Sequence, residues 1–425
     1  MKKYLFFALA AHLLFINADC KKEPPVTPPT NPLQLTVEDV SCTEAFLKLT
    51  LGESEMQKTI TLKRGDSTIA VMTMTGKDSL IVDEGLLPNT TYTYTLAAQS
   101  FTVTTQATTM DTTSHNWTWQ VDTLGIGDSY LYDVAIINDT LAYAVGQIHI
   151  KDSTGQYDNN AYNLIQWDGK KWKLCRIQFL TFCENSATGS YPTKAIWAYS
   201  ATDVRITSGS QMVRWDGINQ TPPSCIPVSV TKLWGENSNS LYAIGYNGVI
   251  AHYNGSTWQK IESGTTITLN DVWGGSNKWL GNDVMLIAAS EKYTGGEHKI
   301  LRIKNSEVDT LPWPMQNRRI HSTWFNQHSS IFTSGGGVFQ SKRDGTWKEM
   351  SLPLIYTNRI RGNDENDIVV VGDFGIVAHY NGVTWKVYNE LKLPNGNYES
   401  VAIKGNLVIA VGWYNSRAYI AVGKR

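Results

Sequence analysis

Two decapeptides, HYNGSTWQKI at residues 252–261 and HYNGVTWKVY at 379–388, place a histidine in the same frame twice. A histidine so held has the chemistry of a general base or a metal ligand. The competing reading is one structural turn used repeatedly, with His252 and His379 packing against it. Five arginines, Arg205, Arg214, Arg302, Arg359 and Arg361, are scattered without a recognisable frame, and the many Asp and Glu residues leave a carboxylate pair for glycoside hydrolysis open. No phosphate loop, Gly-x-Ser-x-Gly or His-Glu-x-x-His motif occurs. No catalytic residue, metal-ligand set or cofactor is therefore read from the chain. Cys42, Cys175, Cys183 and Cys225 match no zinc spacing. Cys183 and Cys225 are a candidate disulfide, although spacing alone does not fix their connectivity.

The elements that must carry these residues are short strands. The 425 residues include fifteen Trp and twenty Tyr set among many Gly, Asn, Ser and Thr, a mixture that favours strands and tight turns over helices. From residue 128 onward one pattern recurs. An apolar strand ending near Trp (KLWG, DVWG, AIWA) is followed by a second strand ending in Gly (SLYAIG, DIVVVG). A third strand then runs into a turn of the type [Trp/Tyr]-[Asp/Asn]-Gly-x-x-Trp, as in WDGKKW at 167–172, YNGSTW at 253–258 and YNGVTW at 380–385, with a variant RDGTW at 343–347. Asn-Gly and Asp-Gly suit a tight hairpin whose central residues need positive φ. Four strands repeating every 40–45 residues or so mark a β-propeller blade. Seven second strands align: LAYAVG, DVRITSG, SLYAIG, DVMLIAA, SIFTSG, DIVVVG and LVIAVG. The seventh repeat stops before a fourth strand, while TWQVD at 118–122 matches a fourth-strand start. The expected fold is all-β: a seven-bladed propeller over 116–425, closed by its N-terminal strand.

Residues 33–108 alternate apolar and polar positions in short runs. Within them GLLPNTTYTYTL (85–96) resembles the fibronectin type III signature, with Leu86, Pro88, Thr90 and Tyr92 in its places; the resemblance implies a β-sandwich with a tyrosine corner. The repeats over 128–425 resemble bacterial propellers of the photosystem II assembly-factor-like and Asp-box, sialidase-type groups. That resemblance implies the fold and says little of activity. Sialidase-type turns carry Ser-x-Asp-x-Gly-x-x-Trp, from which SKRDGTW (341–347) departs in spacing and the other turns in lacking Ser.

The N-terminus reads as a targeting segment, with a basic Met1-Lys2-Lys3, an apolar run to Ile16 and NADC ending at Cys20. Residues 1–19 are expected to be a lipoprotein signal peptide, Cys20 the lipidated residue and 20–32 a Pro-rich tether. The arrangement resembles lipoproteins of the Bacteroidetes phylum and implies an outer-membrane lipid anchor, facing the periplasm or the surface. A formal net charge of −1 argues against nucleic acid as a partner.

Propeller topology puts the regular turns on one face and the variable loops on the other. Aromatics follow the second-strand glycines on the variable face, so Tyr246, Phe374, Trp413, Tyr414, Tyr157 and Tyr293 are the candidate ligand-binding residues. The sequence points first to a monomeric, non-catalytic protein binding a glycan or an envelope or extracellular protein. An envelope assembly or structural factor and a cryptic glycoside hydrolase or lyase are the alternatives.

Overall fold

The computed structural model describes residues 32–425 apart from 100, 159, 292–295, 316, 343–344 and 353–355. The signal segment, Cys20, nearly all of the tether and Tyr293 lie outside the described residues, as do the first two residues of the RDGTW turn. What is described is strand throughout, with three single 3₁₀ turns and no α-helix.

Strands Leu33–Val40, Glu44–Leu51 and Asp78–Glu84 make one sheet of an N-terminal sandwich; Ser67–Thr73, Thr59–Arg64, Thr91–Ala98 and Phe101–Thr108 make the other. Their alternation turns Leu35, Leu47, Leu49, Ile60, Leu62 and Leu96 into one core, with Leu86 among them. The Tyr92 hydroxyl accepts a hydrogen bond from the Leu87 N–H at 2.9 Å.

Residues 118–425 build seven four-stranded antiparallel sheets. In chain order they span 126–175, 195–225, 230–261, 269–311, 320–349, 357–387 and 396–424, and Thr118–Leu124 supplies the fourth strand of the last by pairing with Arg417–Lys424. The first strand of each sheet packs against the first strand of the next, and that of the seventh against that of the first. These first strands surround an axis.

The duplicated decapeptide is a turn. Tyr253 pairs with Trp258 and Tyr380 with Trp385, leaving four loop residues between them. The side-chain oxygen of Asn254 accepts the N–H groups of Ser256 and Thr257 at 3.0 Å each, and Asn381 does the same for Val383 and Thr384. Asp168 repeats it with Lys170 and Lys171. Only the glycine takes positive φ, 93° at Gly169 and Gly255 and 94° at Gly382. This corrects the expectation that both central residues take positive φ: the Asn or Asp serves as an acceptor for backbone donors, not as a left-handed residue. His379 is fully buried between Asp367 (2.8 Å) and His115 (2.8 Å), and His252 stacks on Tyr242, so both belong to packing.

A second regularity shapes the axis. In six sheets the first strand carries a one-residue bulge opposite the end of the second strand, at Tyr132, Thr231, Asn270, His321, Asn358 and Glu399. In five of the six a second-strand glycine faces it, and in the fourth sheet Ala289 does. A Cβ on Gly245 would lie 2.2 Å from the Ser229 carbonyl oxygen, and one on Gly372 2.3 Å from that of Tyr356. A bulge leaves its extra residue unpaired and re-aims its side chain. Here one residue turns toward the axial opening and the next points into the axis.

The sandwich rests on the turns of the fourth to sixth sheets. Asp39, 4% exposed, accepts hydrogen bonds from Lys278 Nζ (2.9 Å) and from the Ser329 N–H and Oγ–H (2.8 Å each), and pairs with His328 Nδ1 (2.7 Å). His328 Nε2 reaches Asp364 at 3.3 Å, and Glu365 is buried beneath, accepting the Ser330 N–H. Asp111, Asn366 and Lys342 with Glu84 extend the contact. Burial by itself would raise the Asp39 carboxyl, but His328 and Lys278 bring it from 3.8 to about 2. Asp364 and Asp39 raise His328 from 6.5 to about 10, and burial raises Glu365 from 4.5 to about 7.

The signs follow by linkage. The Asp39 contribution is complete above its unfolded pKa and is lost as pH falls from 3.8 toward about 2. Those of His328 and Glu365 are complete below their unfolded values and are lost as pH rises through about 10 and about 7. Docking should be tightest in mildly acidic solution and loosen on the alkaline side. Small-angle scattering across that range should show the radius of gyration growing with pH, and Asp39→Asn should show the larger value throughout. A radius independent of pH would reject this account.

Candidate binding site at the axial mouth

The bulged residues build the mouth on the side of the second-to-third-strand loops. Tyr132, Thr231, Asn270, His321 and Glu399, with Lys194 at the matching place in the second sheet, line a cavity of about 360 Å³ together with Tyr246, Glu291 and Arg359. Lys194 Nζ sits 3.5 Å from the Tyr132 ring centre, and the Trp413 indole N–H donates to Glu399 at 3.2 Å. A second cavity of about 330 Å³ shares Tyr132 and Glu399 with the first and runs outward past Tyr130, Asn397 and Trp413.

Below the mouth two carboxylates cross the axis. Asp133 accepts hydrogen bonds from Lys232 Nζ (2.5 Å) of the third sheet, the Ile196 N–H (3.1 Å) of the second and Ser400 Oγ (2.8 Å) of the seventh. Asp271 receives Arg361 in a bidentate pair (2.7 and 2.8 Å) and Arg359 at 2.5 Å, both from the sixth sheet, and Ser322 Oγ (2.5 Å) from the fifth. Burial would raise the Asp271 carboxyl, yet the two guanidiniums hold it well below the usual carboxylate range. Burial, with Arg359 and Arg361 adding to it against the pull of Asp133, lowers the Lys232 ammonium to about 8. Beneath this belt a cavity of about 260 Å³ opens toward the other face. Trp197 and Trp273 line it, whereas Trp324, at the matching place in the fifth sheet, is buried, 1% exposed.

Of the six aromatics proposed from sequence, the five that are described do not converge. Tyr246, 46% exposed, and Trp413 stand at the two connected cavities. Tyr414 turns to the other side of its strand and packs on Tyr419. Phe374 is exposed on the sixth-sheet loop, and Tyr157 stacks on His149; neither lines these cavities. Of the five arginines, Arg359 and Arg361 meet at the axis. Arg205 and Arg214 pair with Asp203, and Arg302 with Asp309. Cys183 and Cys225 are bonded to each other, joining the loop before the second sheet to that sheet's last strand. Among the described residues no group of three or more His, Cys, Asp or Glu is placed to hold a metal ion.

The mouth residues escaped sequence reading because a bulge leaves no composition mark. Spacing marks three of them nonetheless: Tyr132, Thr231 and His321 each stand fourteen positions before the glycine that ends the second strand, Gly146, Gly245 and Gly335.

No family model and no curated protein matches the chain. Solved structures do. YCF48 bound to a D1 peptide is 14% identical with a TM-score of 0.55, covering 74% of this chain and 99% of that one. YCF48 from Cyanidioschyzon merolae is 11% identical (TM-score 0.51; 71% and 98% covered), and the WD40 beta propeller domain of Doa1 13% (0.52; 73% and 98%). The fold is of the β-propeller type. At these identities the likeness carries the fold and no activity, and the four-stranded sheets fit its blades.

The belt generates a stability prediction. Asp271→Asn leaves two buried guanidiniums without their counter-charge, which costs about 3–5 kcal/mol. Urea unfolding should show that loss, whereas Asp309→Asn, in an exposed pair with Arg302, should cost under about 1 kcal/mol. Equal losses in the two variants would contradict the belt's role.

Proposed function

We propose that this chain is a non-catalytic binding protein of the bacterial cell envelope. In this reading residues 20–32 tether it by a lipid on Cys20 to the outer membrane, a fibronectin type III-like sandwich follows, and the sheets of 118–425 form a seven-bladed propeller closed by Thr118–Leu124. The ligand seats at the axial mouth. One observation carries this: two connected cavities, walled by Tyr246, Trp413 and side chains that both donate and accept hydrogen bonds, open where the bulges re-aim the first strands. Aromatic faces beside carboxylates and amides suit a sugar ring, whose C–H face stacks while its hydroxyls bond. The first reading of the ligand is therefore a glycan.

A protein partner is the second reading, favoured by the solved likeness in which YCF48 holds a D1 peptide. Regular turns beneath the sandwich and variable loops at the mouth support an orientation with the mouth directed away from the membrane.

A glycan array probed with residues 33–425 tests the function. Binding is expected, and Tyr246→Ala combined with Trp413→Ala should weaken it on the order of tenfold or more, as loss of central aromatic anchors does. A double variant that binds as well as the parent would remove the mouth from the proposal. Silence across the array, with a protein recovered from envelope extract by the parent and not by the double variant, would favour the second reading.

A further inference from the structure

The belt beneath the mouth does not balance. Its cations are Lys232, Arg359 and Arg361, its anions Asp133 and Asp271, so one positive charge is in excess. Lys232 is matched by Asp133 and Arg361 by both oxygens of Asp271. The surplus falls on Arg359. Its Nη1 approaches one Asp271 oxygen already shared with Arg361, and its buried Nε–H has no acceptor. Arg359 is only 5% exposed, and it forms part of the wall of the mouth cavity. A guanidinium so far from water, with a donor unspent, is costly unless an anion completes it. The planar guanidinium fork matches the two oxygens of a carboxylate.

The surroundings narrow the carrier of that carboxylate. Glu291 and Glu399 share the cavity with Arg359, and Asp128 lies along the adjoining one. Three carboxylates against two cations, Arg359 and Lys194, oppose a polyanion, and they suit a ligand with one acidic group and many hydroxyl donors. The two adjoining cavities share Tyr132 and Glu399, and Tyr246 lines one and Trp413 the other. We propose that the mouth binds an oligosaccharide bearing a single uronate among neutral sugars, with the uronate carboxylate paired to Arg359. The proposal rests on reading the mouth as a glycan site and adds the anion.

The test is titration calorimetry of the full-length protein with di- to tetrasaccharides ending in glucuronate, galacturonate or mannuronate. Each is offered as the free acid and as its methyl ester. At least one free acid should bind tenfold or more tighter than its ester, and Arg359→Gln should bring the acid down to the level of the ester. Because Arg361 still holds Asp271 in that variant, its melting temperature should stay close to the parent's. The acid–ester comparison needs no variant, so a poorly folded Arg359→Gln leaves the test intact. Equal binding of acid and ester would overturn the carboxylate pairing while leaving a glycan site. Binding of a peptide with a free C-terminal carboxylate, and of no sugar in the panel, would overturn the sugar assignment. Absence of binding in both panels would overturn the proposal and the glycan reading together.

Discussion

Two buried carboxylates hold the arrangement on which the rest depends. Asp133 gathers donors from the second, third and seventh sheets to the first, and Asp271 gathers the fifth and sixth to the fourth. Every sheet around the axis thus has a donor or acceptor in one of two small networks. Buried ion pairs are poor sources of net stability, because desolvation consumes most of the Coulomb gain. Their value here is geometric. Apolar first strands alone would pack equally well at several heights along the axis. A carboxylate that needs partners from three neighbours admits one alignment.

The bulges divide the labour on each first strand. One residue at a sheet's inner edge joins the belt or packs behind it, and its neighbour is freed to face the opening. In the third sheet Lys232 is tied to Asp133 while Thr231 lies at the mouth; in the fourth, Asp271 anchors the network and Asn270 faces outward. In five sheets a second-strand glycine allows the close approach, since a Cβ there would meet the carbonyl before the bulge, whereas the fourth sheet carries Ala289 at that place.

Much of the fold was legible in the sequence. The four-strand repeat could be read because period-two alternation and the Gly and Trp punctuation are local signals, and the pairing of Thr118–Leu124 with the last strand follows from counting strands. The turn was placed correctly, but its chemistry was misread: Asn254 and Asn381 act through their side chains, and only the glycine is left-handed. The site was far less legible. Tyr246 and Trp413 were found because they follow second-strand glycines, yet the same rule selected Phe374 and Tyr414, whose directions depend on a loop conformation and on strand parity that the rule ignores. Arg359 and Arg361 looked scattered because Asp271, which collects them, is about ninety residues away in the chain and belongs to another sheet. Nothing in LQLTVEDV marks Asp39 as the group that seats the sandwich. Its partners Lys278, His328 and Ser329 sit in turns of the fourth and fifth sheets, distant in sequence.

Around the opening stand, in order, Tyr132, Lys194, Thr231, Asn270, His321 and Glu399, and no two neighbours are alike. The scaffold is nearly symmetric by rotation, but the surface it offers has no symmetry. A ligand that turned by one sheet would meet a different set of donors, acceptors and charges. Orientation is therefore encoded in six side chains that take no part in the two carboxylate networks, so the rim can be rewritten while the belt beneath it stays constant.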